Sequence, residues 1–212
     1  MRYIFLAILS AFFFGSATPV GKMLLESLPP FLLAGLFYAG AALGVLPFCL
    51  KAPDILKLRH LGRKNQWRLW GAIVFGGVCG PVLLLFGLRI ASAASVAMWL
   101  SLELAATAVL GYFLFRDHLG PYGWLGVIGT IVASGMLSWH EGRIGLQALL
   151  LVGGACLCWG LDNHLTALID DITPAQSTFW KGLAAGLREV DHFQKDAILE
   201  TYRQSFPRPV HG

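Results

Sequence analysis

The sequence predicts an all-α fold, a polytopic helical membrane protein, on three observations. The 212 residues are 56% hydrophobic and only 13% charged, about half the charge of an average soluble domain. Apolar runs close to the roughly 20 residues that cross a bilayer follow one another, separated by turns rich in Gly, Pro and charge. A faint self-similarity at an offset of 145 residues sets Gly15 on Gly160, Glu26 on Asp171 and Pro29 on Pro174. Such a long-period echo in an apolar chain marks a duplicated membrane fold with two like halves.

The first span is expected from Tyr3 to Leu25. Ser16, Ala17 and Thr18 would suit a signal-peptide cleavage site, but the apolar run continues past them into Val20 and Met23, so a retained span is predicted. Span two runs from Phe31 to Leu50, with Gly40 and Gly44 in a small-xxx-small pattern that lets helices approach closely. Lys51, Lys57, Arg59, Arg63, Lys64 and Arg68 then crowd one loop against Asp54 alone, a local +5 that leaves −1 for the rest of the chain. A basic loop between apolar spans reads as cytoplasmic, and argues against a nucleic-acid partner. Span three, Leu69 to Gly87, repeats the small-residue pattern at Gly76 and Gly80 and carries Pro81, which can bend it. Span four is expected over Ile90 to Phe115, span five over Tyr122 to Trp139 and span six over Gly145 to Ile169. With the N-terminus cytoplasmic, spans one and six point in opposite directions, as an inverted repeat requires. A seventh apolar segment, Ala175 to Leu187, is about 13 residues long, short of the roughly 17 needed to cross. From Arg188 the composition turns polar.

Glu103 lies near the middle of span four. A carboxylate there costs about 2.5–3.5 kcal/mol to insert and normally faces a cavity or a partner. It reads as a substrate or proton site; the structural alternative is a group bonded to Ser101 or to another helix. Lys22 and Glu26, four apart, share a helix face near the outer end; they line an entrance or form a surface ion pair. Asp162, Asn163 and His164 make a polar step in span six, where Asp162 and Asn163 favour a cavity-facing patch and His164 alone is a satisfied bundle histidine. Lys181 sits in the short seventh segment and receives no role. Trp99, Trp124, Trp139, Trp159 and Trp180 are expected to anchor span ends. Cys49, Cys79, Cys156 and Cys158 lack metal-site spacing and are expected to pack. No metal cluster, cofactor motif or nucleophile–base pair stands at a span end, which weakens a membrane-embedded enzyme.

Three stretches resemble the EamA-type transporters of the drug/metabolite transporter superfamily: FFFGSATPVGKMLL in span one, SLELAATAVLGYFLFRDHLG from span four, and WGLDNHLTALIDDITP in span six. The second carries a Leu-Glu-x-x-x-Thr-Ala-x-Leu pattern, with Asp117 where the family more often has Glu. The resemblance implies a first five-helix repeat over 1–139, an incomplete inverted second repeat over 145–187 and a polar tail over 188–212. It also implies a non-enzymatic permease of the bacterial inner membrane, moving a small-molecule solute by alternating access, with Glu103, Asp162 and Asn163 at the site and the lipid bilayer as surroundings. The family has ten spans, so a truncated, non-transporting fragment is the rival reading, and a homodimer would rebuild the missing half.

Overall fold

A computed structural model describes residues 2–50, 61–170 and 172–186. These residues contain no strand, as expected where lipid leaves each backbone amide to find its partner within its own helix. We number the helices α1 (Arg2–Leu24), α2 (Pro30–Leu50), α3 (Arg63–Ile90), α4 (Ala93–Phe115), α5 (Pro121–His140), α6 (Gly142–Ala167) and α7 (helical over 174–186). The first six are long and apolar enough to cross a membrane. The chain is therefore a multi-pass membrane protein of all-α architecture whose outward apolar side chains, such as Phe13, Leu43, Ile128 and Leu150, contact lipid.

Local chemistry sets the helix ends. Pro30 and Pro121 occupy first-turn positions, where a missing N–H costs nothing. The Ser92 side chain accepts from the Ser95 N–H at 3.0 Å and caps α4. Arg116, at φ 59°, ends α4 in the left-handed region, and Gly142 turns α5 into α6 at φ 71°. Before α7, Thr173 and Gln176 exchange side chain-to-backbone bonds of 2.9 and 3.3 Å, a reciprocal cap.

α3 begins six residues before the expected span, so Arg63, Lys64 and Arg68 lie on helix rather than in a loop. Lys51, Lys57, Arg59 and Asp54 lie outside the described residues, as do Asp171 of the internal echo and the polar tail 188–212. Gly40 and Gly44 meet nothing, so the pattern expected to pack α2 is idle. The neighbouring Ala39 and Ala42 are used instead, against Gly186 and Gly182 of α7, where a Cβ on Gly182 would come within 2.8 Å of that of Ala42. α6 is the central post. A Cβ on Gly87 of α3 would sit 2.9 Å from Val152, and one on Gly160 would sit 3.1 Å from the Thr107 amide of α4, so small residues set these crossings.

Apolar packing gathers at two levels. One cluster joins Leu33, Leu85, Leu88, Val96, Trp99, Val152 and Cys156; the other joins Leu61, Leu69, Ile73 and Ile169. The turns sort in the same way. Lys22 reaches Ala91, and the Ser95 hydroxyl bonds Glu141, at one end of the bundle. Arg68 reaches the Leu168 carbonyl at 2.7 Å at the other. Between these levels the bundle is polar.

Candidate functional site

The polar layer starts from distortions in two helices. In α3, residues Ile73–Cys79 wind as a π-helix, with the Gly80 N–H bonding the Phe75 carbonyl five residues back. In that register the next donor would be residue 81, a proline with no N–H. The Gly76 carbonyl is left without its in-helix partner and accepts instead from the Tyr38 hydroxyl of α2 and from Trp159 Nε1 of α6, the latter at 3.2 Å. One carbonyl thus ties three helices. In α4 the turn at Leu100–Ser101 is overwound: Glu103 N bonds Leu100 O at 3.0 Å and Leu104 N bonds Ser101 O at 3.3 Å, three residues back. Glu103 follows at once, about 15 Å along the helix from Ala93 at 1.5 Å per residue.

Glu103 is half-buried. Its Oε1 accepts from Asn163 Nδ2 at 3.3 Å, and the same amide donates to Thr107 Oγ1 at 3.4 Å. Ser101, the partner the sequence offers within the helix, donates instead to the Met98 carbonyl at 2.7 Å. The partner of Glu103 therefore comes from α6. One residue earlier, Asp162 is buried and faces another way. Its Oδ1 takes the Lys181 ammonium of α7 at 2.6 Å and the Thr166 hydroxyl at 2.9 Å. Both charged side chains of the pair are only 12–14% exposed. Gly76 makes room for this pair, because a Cβ there would overlap the Asp162 carboxylate. One residue later, His164 Nε2 meets the Thr107 carbonyl at 2.9 Å, and its ring stacks on Phe115 at 4.4 Å. His164 Nδ1 lies 3.9 Å from Asp117, whose side chain is largely exposed. Asp162, Asn163 and His164 thus reach α7, α4 and the α4–α5 loop in turn, as consecutive helical residues about 100° apart must.

The structure therefore brings together Glu103, Asp162 and Asn163, and leaves Lys22 and Glu26 elsewhere. Lys22 donates from Nζ to the carbonyls of Leu88, Arg89 and Ala91 at 2.8, 3.1 and 2.8 Å. A cation on the last carbonyls of a helix suits its dipole. Glu26 lies beyond the end of α1, exposed, and is not what Lys22 holds. Sequence reading gave no role to Lys181, although an ionisable side chain inside an apolar segment is a signal for one. It also gave no site role to Tyr38, Gly76 or Thr107.

Two expectations for aromatic and thiol residues resolve differently. Trp99 is fully buried, donating to the Ser134 carbonyl at 3.3 Å, and Trp159 bonds Gly76, so neither anchors a span end. Trp139, 89% exposed at the end of α5, does suit a membrane interface. All four cysteines are free, with Cys49 and Cys156 buried as packing residues. Among the described residues no group of His, Cys, Asp or Glu could hold a metal.

Two grooves of about 440 and 680 Å³ open beside α5, the first lined by residues such as Leu102, Val109 and Leu157, the second by Ala97, Gly126 and Ala133. Neither includes Glu103 or Asp162. They are mainly apolar seams between helices.

Comparison with known proteins bears on this arrangement. The sequence profile of the EamA-like transporter family matches residues 1–139. A protein of Methanothermobacter thermautotrophicus described as an uncharacterized transporter is 24% identical over 180 residues, covering 76% of this chain and 52% of the relative. The chain thus spans about half the length of the curated relative it matches. No solved structure matches it.

Proposed function

Because this chain belongs to the EamA-like transporter family, we propose that it moves a small metabolite or drug-like solute across the membrane by alternating access, in the direction of export. Glu103 is the central group of the site, loading a proton or a cationic centre of the solute. Asn163 orients its carboxylate, and Asp162, the preceding residue of α6, borders the site with its charge paired to Lys181. The observation that carries this reading is the Glu103–Asn163 contact. It joins α4, in the proposed first repeat (1–139), to α6, which opens the proposed second (145–187). A group shared by two repeats is where rocking of one against the other changes the environment most.

The cost of a carboxylate in lipid supports the same reading, because such groups normally serve a pathway or a partner. The membrane is proposed to be a bacterial inner membrane, with the N-terminus cytoplasmic. A second copy of the chain is a proposed partner; disulfide crosslinking between chains in native membranes decides that point by its presence or absence.

The test is Glu103→Gln in the full chain. Membrane vesicles are screened for export of a panel of labelled small metabolites and dyes, and the variant is then run on whichever is moved. The variant should reach the membrane at normal levels and lose transport by a factor of about 100 or more, the scale on which essential transporting groups fail when about 3 kcal/mol of interaction is removed. Unchanged transport would remove Glu103 from the site.

A further inference from the structure

Lys181 is tied to the site through Asp162 but has so far no role in it. Its ammonium reaches Asp162 Oδ1 at 2.6 Å from α7, inside the bundle. The pairing is prepared from three sides. The absence of a side chain at Gly76 admits the carboxylate, Thr166 supplies a second hydrogen bond, and Gly182 and Gly186 let α7 approach α2 closely enough to bring Lys181 in. Asp162 is adjacent in sequence to Asn163, which holds Glu103, and lies within electrostatic reach of Glu103.

Charge bookkeeping at this level is short. Among the described residues the ionisable groups of the polar layer are Glu103, Asp162, His164 and Lys181, with Asp117 at its exposed edge. His164 is engaged with Thr107 and faces Asp117. Lys181 cancels Asp162. Asp117 sits at the exposed edge, where water screens it; within the layer, among the described residues, the one carboxylate left is Glu103, with the neutral Asn163 amide as its side-chain partner.

We propose that Lys181 is a specificity-determining residue: by neutralising Asp162 it leaves the site a single uncompensated negative charge, so that the site selects solutes bearing one positive charge over those bearing two. The inference rests on the solute site at Glu103 and deepens it. Removing the ammonium exposes a second carboxylate to the bound solute. One added charge at about 10 Å, in surroundings of effective dielectric about 20, changes affinity by roughly tenfold per unit charge on the ligand.

The experiment uses the full chain in detergent micelles, titrated calorimetrically with tetraethylammonium, which carries one charge, and hexamethonium, which carries two. The quantity read is the ratio of the two dissociation constants. Lys181→Met should move that ratio about tenfold in favour of hexamethonium. Lys181→Arg should hold it near the wild-type value, and Lys181→Met combined with Asp162→Asn, which removes both charges, should restore it. Should Lys181→Met not fold, Asp162→Asn alone gives the complementary reading: the freed ammonium should weaken tetraethylammonium binding about tenfold, and the double variant should recover it.

An unchanged ratio in Lys181→Met, or unchanged binding in Asp162→Asn, overturns the role of Lys181 while leaving the Glu103 site standing. If the wild type binds neither cation, or Glu103→Gln binds both as well as the wild type does, the site itself fails and this inference falls with it.

Discussion

Asp162 and Lys181 illustrate how a side chain's value depends on what it would leave behind. Asp162 is buried, Lys181 is largely withdrawn from solvent and both are charged, so removing either strands the other. Asp162→Ala should destabilise the protein by about 3–5 kcal/mol, whereas replacing both by apolar residues should cost far less; unfolding titrations in mixed micelles measure the difference. Gly76→Ala should act in the same direction, because its methyl group would occupy the space of the Asp162 carboxylate. At this scale the sequence was partly legible. Glu103, Asp162 and Asn163 stand out because a polar group in an apolar run must have a reason. Lys181 carried the same signal, but its partner lies across a turn, and nothing in the order of residues points from one to the other. Gly76 was legible only as a packing glycine. Its carbonyl is an acceptor because of a register shift and a proline five residues on, a combination no side-chain pattern displays.

Within single helices, the distortions are the informative features. The π-turn of α3 makes Gly76 depend on Tyr38 and Trp159. Tyr38→Phe should cost about 1 kcal/mol, the usual net worth of a hydrogen bond. In a Pro81→Ala background the helix can supply its own donor, and Tyr38→Phe should become nearly silent. A double-mutant cycle with a coupling of about 1 kcal/mol expresses this, and additivity within about 0.3 kcal/mol would refute it. Lys22 binds the carbonyl end of α3 to α1. Lys22→Met should loosen the α3–α4 corner, seen as faster amide exchange over residues 88–95, with little change at Glu103. The span positions were readable to within a few residues, apart from the start of α3, where basic residues continue the helix beyond its apolar part. The idle Gly40 and Gly44 show the opposite failure: a motif says that helices can approach, and only the bundle decides which face meets a neighbour.

For the whole molecule, the alternating turns gather at two ends, one holding Ala91 and Glu141, the other Arg68 and Leu168. In the topology proposed above, the basic start of α3, with Arg63, Lys64 and Arg68, puts the second end on the cytoplasmic side. Single cysteines placed in a cysteine-free chain should accordingly react with an impermeant thiol reagent from outside at His140–Arg143 and only after permeabilisation at Arg116–His118. The reverse labelling would invert the proposed topology.

The contacts of Lys22 and Lys181 also set a schedule for biosynthesis. Lys22 finds its acceptors 66 to 69 residues further along the chain, whereas Asp162 and Lys181 are 19 residues apart. At synthesis rates of about 5–20 residues per second, the first ammonium waits about 3–14 s for its helix end, and the carboxylate about 1–4 s for its counter-ion. The Asp162 carboxylate can therefore be paired soon after α7 is made. Lys22 cannot: α1 enters the bilayer with that ammonium held only by headgroups and water, and its final docking must follow the third helix rather than its own emergence.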